Sequence, residues 1–508
     1  MHTPQVHAEP LSQSRKRLVL VACILGSAVV TVDSTVVNVA LPAIRADLGG
    51  GFAGQQWTAN AYLVTLASLI LVGGSLGDVL GERRVFVVGL VGFGVTSLLC
   101  AAAPTIEILV LARGLQGITA ALVAPAALAV IVAVFPRAER GKAVGSWTAW
   151  GAIGAVIGPL IGGQLVDLAS WRWIFGLNIP LVVGTLLLVA RVVPASRNVD
   201  EDVRVDVEGA VLCAAGLAAL TFGLVRAPEV GVAAPTVLGP LIGALVLLTA
   251  FVLHERRVSH PMLPLDLFRN RNFAIGNLET LSMYAGLSLL FFFLVIFLQR
   301  GAGYSATAAG TASVPVTVCM FLLSSRFGAL ADRYGPRFFM GVGPLVTAAG
   351  LASMATLGTD LTYFGDLLPR LVVFSIGLSM TVAPLTATVL AAADEGNAGT
   401  ASGVNNAIAR TAGLLGIALV GAVVAGRYGQ DADTSVGAFH LAMGISALLV
   451  ALGGVAGLVG IRNPARETHA QTCAGGQLAG APADSAVERR VPVSAGGVDR
   501  PAAATGSS

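Results

Sequence analysis

Charge is the scarcest property of this chain. Only 12% of its 508 residues are Asp, Glu, Lys or Arg, against 55% hydrophobic, whereas a soluble domain usually carries roughly a quarter charged residues. So few charges cannot cover a water-facing surface of this size. The net charge of +3, from 31 basic and 28 acidic residues, excludes the clustered basic face that nucleic-acid binding needs. Cysteine is sparse too: Cys23, Cys100, Cys213 and Cys319 fall in apolar stretches and Cys473 in a polar tail. Their spacing offers neither a metal site nor a disulfide framework. His254 and His260 flank a loop and His440 stands alone, so no ligand cluster forms and no metal or cofactor is expected. A Walker-type phosphate loop, a His-Glu-x-x-His pair and paired cysteines are all missing, which argues against an enzyme. No loop is long enough for a receptor domain. Lysine occurs only at 16 and 142, an arginine bias typical of a GC-rich bacterial genome.

Long apolar runs dominate instead. A bilayer span needs roughly 20 mostly apolar residues, and the chain offers runs near 18–40, 57–77, 85–103, 105–132, 143–166 and 173–193. Two follow near 207–226 and 234–254, then six near 273–299, 304–325, 338–358, 361–392, 400–425 and 436–460. This predicts an all-α polytopic membrane protein with fourteen spans arranged six, two and six. The 62 glycines suit spanning helices, in which Gly is tolerated. The first run is too long for a signal-peptide core and carries Asp33 and Asn38, so it reads as a retained helix.

Arginine and lysine set the orientation. With the N-terminus inside, the inner segments before the last span hold eighteen basic residues and the outer loops five, which places both termini in the cytoplasm. The loop around Asp394 and Glu395 has no basic residue and is the exception. The expected organisation is a disordered segment 1–17, a six-helix bundle 18–195, a two-helix insert 196–260, a second bundle 261–461 and a disordered tail 462–508.

Two loops repeat at matching positions. Gly74-Ser-Leu-Gly-Asp78-Val-Leu-Gly81 is followed by Glu82, Arg83 and Arg84; Gly328-Ala-Leu-Ala-Asp332-Arg-Tyr-Gly335 is followed by Pro336 and Arg337. Glycine permits a tight reversal there, and an acid near a helix end can meet a cation or a neighbouring terminus. With this internal repeat the chain resembles the major facilitator superfamily over about residues 15–460. Within it, four motifs resemble the fourteen-span drug:proton antiporters. They are Asp33-Ser-Thr-Val-Val-Asn38-Val-Ala-Leu-Pro42, Arg113-Gly-Leu-Gln116-Gly117, the span-five ladder Gly151, Gly154, Gly158-Pro159, Gly162-Gly163, and Trp171-Arg172-Trp173 with Asn178-Ile-Pro180. The resemblance implies the major facilitator fold, gating roles for the two repeated loops, proton coupling near Arg113 and an exporter's pivot in the span-five ladder. It also implies a monomer in a bacterial cytoplasmic membrane.

Charges inside a bilayer are costly and point to function. They are Asp33, Arg113, Glu279, Asp366, Arg370 and Arg410. At about 1.5 Å per residue, Asp33 and Arg113 both lie roughly 10–12 Å below the outer surface. Asp33 is the candidate proton carrier or cation contact, with Arg113 tuning it; the other reading is a fixed ion pair that locks helices. Glu279 and Arg410 are candidates for a second pair, and Asp366 with Arg370, four residues apart, for a local structural one. Trp171, Trp173, Trp57 and Tyr62 read as interface anchors. The expected function is export of an apolar or cationic drug-like compound, antibiotic or metabolite in exchange for protons. Uptake of a nutrient by proton symport is the alternative. The small organic substrate, the protons and the bilayer are the partners.

Overall fold

The computed structural model describes residues 12–194, 206–259, 261–392, 398–425 and 432–463. Of the segment 1–17 expected to be disordered, the first eleven residues lie outside them, but Gln13 to Arg17 open a helix that Ser12 caps and Lys16 ties to Glu139, which corrects the expectation. The tail from 464 and the basic-free loop at Asp394 and Glu395 also lie outside the described residues.

Fourteen long helical segments account for the described chain. They are α1 Gln13–Leu48, α2 Gly51–Leu80, α3 Glu82–Ala101, α4 Ile106–Val134, α5 Arg137–Leu168, α6 Trp173–Val192, α7 Val207–Val230 and α8 Pro235–Glu255. The remainder are α9 Arg271–Arg300, α10 Ala306–Tyr334, α11 Pro336–Met354, α12 Tyr363–Ala391, α13 Ala398–Val424 and α14 Ala432–Gly460. Thirteen are long and apolar enough to cross a membrane, and among the described residues of α5 the apolar stretch is Ile157–Leu168. The helices outrun the apolar runs by several residues because polar caps end them. Side chains of Ser12, Thr105, Asp206, Asn270 and Ser305 accept first-turn N–H groups of α1, α4, α7, α9 and α10, satisfying donors that a helix start leaves open.

Large apolar side chains such as Ile242, Leu245 and Val246 on α8 face outward, as lipid contact requires. Inside, α1–α6 pack as one half and α9–α14 as the other. The α7–α8 hairpin lies on the seam between them, where Leu217 of α7 packs with Val64 and Ala67 of α2 and Leu414 of α13.

The two repeated loops fold alike. Gly81 and Gly335 take φ of 90° and 91°, and each alone separates two helices, α2 from α3 and α10 from α11. Only glycine adopts that conformation freely. Each donates its N–H four residues back, to Gly77 and to Ala331.

We call outer the side on which α1 ends and α2 begins. There the halves are joined by side-chain bonds. Gln299 Nε2 donates to the Val39 carbonyl at 2.9 Å and Gln56 Nε2 to the Ile417 carbonyl at 3.0 Å. Phe52 meets Phe292 and Phe293 edge-on or tilted at about 6 Å. The outer side is closed.

Candidate coupling and transport site

Asp33 is wholly buried in α1, and helices from across the first half deliver its partners. Arg113 Nη1 of α4 donates to Oδ2 at 2.5 Å. Gln116 Nε2, one turn on, donates to Oδ1 at 3.0 Å, and Asn178 Nδ2 of α6 donates to the same oxygen at 2.9 Å. Ser97 Oγ of α3 accepts from both amides, at 2.9 and 3.2 Å. Arg113 Nε donates to the Thr58 carbonyl of α2 at 3.1 Å, its Nη1 reaches Gln116 Oε1 at 2.6 Å, and its guanidinium lies 4.3 Å from the Tyr62 ring centre. An ion pair this buried survives because hydrogen bonds fill its remaining donors and acceptors. Five helices therefore meet in one hydrogen-bond network built on this carboxylate, three of them at the carboxylate itself, and a change in its charge would be felt through all five.

The charge pattern brought Asp33 and Arg113 forward but not Gln116, Ser97, Thr58 or Asn178. Gln116 and Asn178 do stand in the motifs quoted above, so a signal was there. Tyr62 corrects an expectation: it is no outer anchor but is buried beneath Arg113. The reason is close packing of α2 on α4, where a Cβ on Gly117 would strike the Tyr62 carbonyl. Trp171 is likewise buried, its indole N–H donating to Asp47 at 3.0 Å, whereas Trp173 is exposed. Trp57 packs its ring 6.3 Å from that of Phe222 of α7.

Glu279 and Arg410 are not brought together. Glu279 is fully buried with neither carboxyl oxygen hydrogen-bonded. A Cβ on Gly457 of α14 would lie 2.5 Å from the Met340 carbonyl of α11 and 2.9 Å from Glu279 Oε2, so the carboxyl looks toward α11 and α14. Asn277 and Thr280 on another face of α9 bond Asn405 of α13, Arg410's helix. The helical turn itself separates the pair. Asp366 and Arg370 do form a local contact: Arg370 Nη1 donates to the Asp366 carbonyl at 2.6 Å, while Asp366 Oδ2 caps the first turn of α12 through Thr362.

The span-five ladder has two working faces. A Cβ on Gly154, Gly158 or Gly162 would meet α1, at Val32, Thr35 and Val36 respectively. Gly163 instead abuts Thr307, and the Pro159 carbonyl abuts Gly310, both on α10 of the other half. Beside this contact lies a cavity of about 210 Å³ between the halves, lined by Thr35, Asn38, Pro159, Phe291, Thr317 and Leu378 among others, none charged. Of the gating-loop residues, Gly74 and Gly328 lie close to Pro125 and Ala383. Arg83 reaches the Ala190 carbonyl at 3.5 Å, Arg337 Nε donates to the Leu458 carbonyl at 2.6 Å, and Asp332 is exposed. The surroundings of Asp78 and of Gly151 lie outside the described set.

Comparison with known proteins agrees with this architecture. The Major Facilitator Superfamily model matches residues 23–417. The chain is 37% identical over 415 residues to the puromycin resistance protein pur8 of Streptomyces alboniger, covering 80% of this chain and 81% of that one. It is 35% identical to the cephamycin export protein CmcT of Amycolatopsis lactamdurans, over 83% of this chain and 88% of that one. With the tetracenomycin C resistance and export protein of Streptomyces glaucescens it shares 33%, over 81% and 76%. Among solved structures, the inward-open xylose transporter XylE from E. coli superposes with a TM-score of 0.60 at 13% identity, over 89% of this chain and 98% of that one. The POT family transporter PepTSo gives 0.65 at 16%, with the same coverage; at such identities these show the fold alone.

Proposed function

The chain belongs to the major facilitator superfamily, and from that premise we propose that it exports small drug-like, antibiotic or metabolite molecules in exchange for protons. Its relatives are named for puromycin resistance and for cephamycin export, which supports outward movement of an organic cargo. The setting would be a bacterial cytoplasmic membrane, with the protein acting as a monomer.

One observation carries the coupling: a carboxylate at zero exposure holding an arginine and two amides from two other helices. A proton arriving on Asp33 removes the charge that binds Arg113, Gln116 and Asn178 together. The guanidinium must then find new partners, and α4 and α6 shift against α1. The ladder on α5 transmits that shift, because its glycines touch α1 on one face and α10 of the other half beside them. The substrate occupies the uncharged cavity between the halves while the outer side is closed, and is released when the outer bonds part. Each net charge moved down a 100 mV potential supplies about 2.3 kcal/mol.

The test uses proteoliposomes with a pH-sensitive dye trapped inside and an imposed pH gradient. Added drug-like compounds should trigger proton movement with the unaltered protein and none with Asp33→Asn. Normal proton movement in that variant would remove Asp33 from the coupling step.

A further inference from the structure

Arg410 has no counter-ion among the described residues. Its guanidinium is half-buried and makes no ion pair or hydrogen bond among the described residues. The register of α13 fixes where it lies. Ala407, one turn earlier, packs against the first half's cluster, to which Tyr62 and Leu66 belong, and Leu414, one turn later, packs with Val64 and Ala67. Residues three and four apart share a helix face, so Arg410 lies on the face that meets α2. On the adjoining face Gly413 abuts Ser288 of α9. Tyr284 lies one turn before Ser288 on α9, as Arg410 lies one turn before Gly413, and Tyr62 adjoins Leu63, which also neighbours Gly413, so both tyrosines stand on the helices that Arg410 faces.

Those hydroxyls are unoccupied as well. Tyr62 is 1% exposed and its Oη has no hydrogen-bond partner; Tyr284 makes none among the described residues. Among the described residues no acid answers this group of donors. Asp33 is held by Arg113, Gln116 and Asn178, and Glu279 turns to α11 and α14. The other charges near Tyr62, Arg113 and Asp33, are paired with each other. A free guanidinium fork beside two free phenol hydroxyls is a donor set matched to a carboxylate.

The same helix face leads on to the cavity. Tyr284, Leu287, Phe291 and Val295 follow each other three or four residues apart on α9, and the last three line the cavity between the halves. From Tyr284 to Phe291 is seven residues, roughly 10 Å.

We propose that Arg410, Tyr62 and Tyr284 form a carboxylate-binding subsite spanning both halves, and that the exported molecule is an amphiphile with an acidic group there and an apolar body beside Phe291. The proposal rests on the export reading for its cargo and replaces a cationic compound with an acidic one.

Two probes of equal shape separate charge from bulk: biphenyl-4-carboxylate and biphenyl-4-carboxamide. Binding of each to the purified full chain in detergent is measured by calorimetry. The carboxylate should bind about tenfold or more tighter, as a charge-assisted hydrogen bond implies. Arg410→Gln should abolish that preference and leave amide binding unchanged. Arg410→Lys should keep part of it, and Tyr62→Phe and Tyr284→Phe should each reduce it several-fold. Equal binding of the two probes to the unaltered protein, or a preference that survives Arg410→Gln, overturns the subsite. If the Arg410 variants fail to fold, the tyrosine variants decide in the same way. Proteoliposomes keep the two readings apart. A carboxylate preference in detergent without proton movement by either probe sinks export alone; proton movement driven equally by both probes sinks the subsite alone.

Discussion

Asp167, next to the last residue of α5, accepts the backbone N–H of Thr307 at 2.8 Å and, through its other oxygen, that of Ala306 at 3.0 Å. A side chain of one half thus caps the opening turn of α10 in the other, where free N–H groups favour a negative charge. Loss of a cap costs about 0.5–2 kcal/mol, here charged to the outward-closed arrangement alone. Asp167→Ala should therefore raise the outward-open population several-fold. Maleimide labelling of a cysteine placed at Asn38, added from outside, should accelerate by that factor; an unchanged rate would remove Asp167 from outer closure.

The Asp33–Arg113 pair should be asymmetric to mutation. Arg113→Gln strands a buried carboxylate and is expected to cost about 3–5 kcal/mol, visible as a large fall in melting temperature and yield. Adding Asp33→Asn to it removes the stranded charge, so the double variant should recover much of the stability while remaining uncoupled. No recovery would show that the pair is not energetically linked.

Gly162→Ala drives a methyl group into Val36, whereas Gly184 of α6 has nothing within 4 Å of a Cβ. Overpacking of this kind typically costs 1–3 kcal/mol. Gly162→Ala should lower thermal stability and slow transport, and Gly184→Ala should do neither. Equal behaviour of the two would mean that the ladder's contact with α1 is loose.

Glu279 should tolerate loss of its charge but not reversal. Neither oxygen is hydrogen-bonded, so Glu279→Gln sacrifices no bond and should change melting temperature by no more than a few degrees. Glu279→Lys places a cation against Gly453, Gly457 and the Met340 carbonyl and should abolish membrane accumulation. Stable Glu279→Lys protein would contradict the dry packing among α9, α11 and α14.

Asn178→Leu removes one of three bonds to Asp33 and leaves Ser97 with one amide donor fewer. A lost bond to a charged group is worth about 1.5–3 kcal/mol. Substrate-driven proton flux in proteoliposomes should fall several-fold while the protein stays folded. Undiminished flux would make Asn178 a packing residue.

Much of this was legible because membrane insertion leaves a strong trace. Fourteen apolar runs became fourteen helices, and the rarity of buried charge singled out Asp33 and Arg113. Neighbours across the bundle left a fainter trace. Tyr62 looked like an outer anchor because position along a helix shows in sequence, whereas the face turned to α4 depends on how closely Gly117 allows approach. Glu279 and Arg410 suggested a pair for the same reason: depth can be counted in residues, but rotation about α9 is settled by whole-helix packing. Gln116 and Asn178 carry no charge, so nothing marked them energetically although each bonds Asp33 directly.

Gly81 and Gly335 are each the whole connection between two helices. A longer loop would have slack and could absorb a tilt of one neighbour without moving the other. A single residue held at φ near 90° leaves almost none. The α2–α3 and α10–α11 corners therefore behave as two stiff elbows, so that whatever swings one arm must carry the other with it.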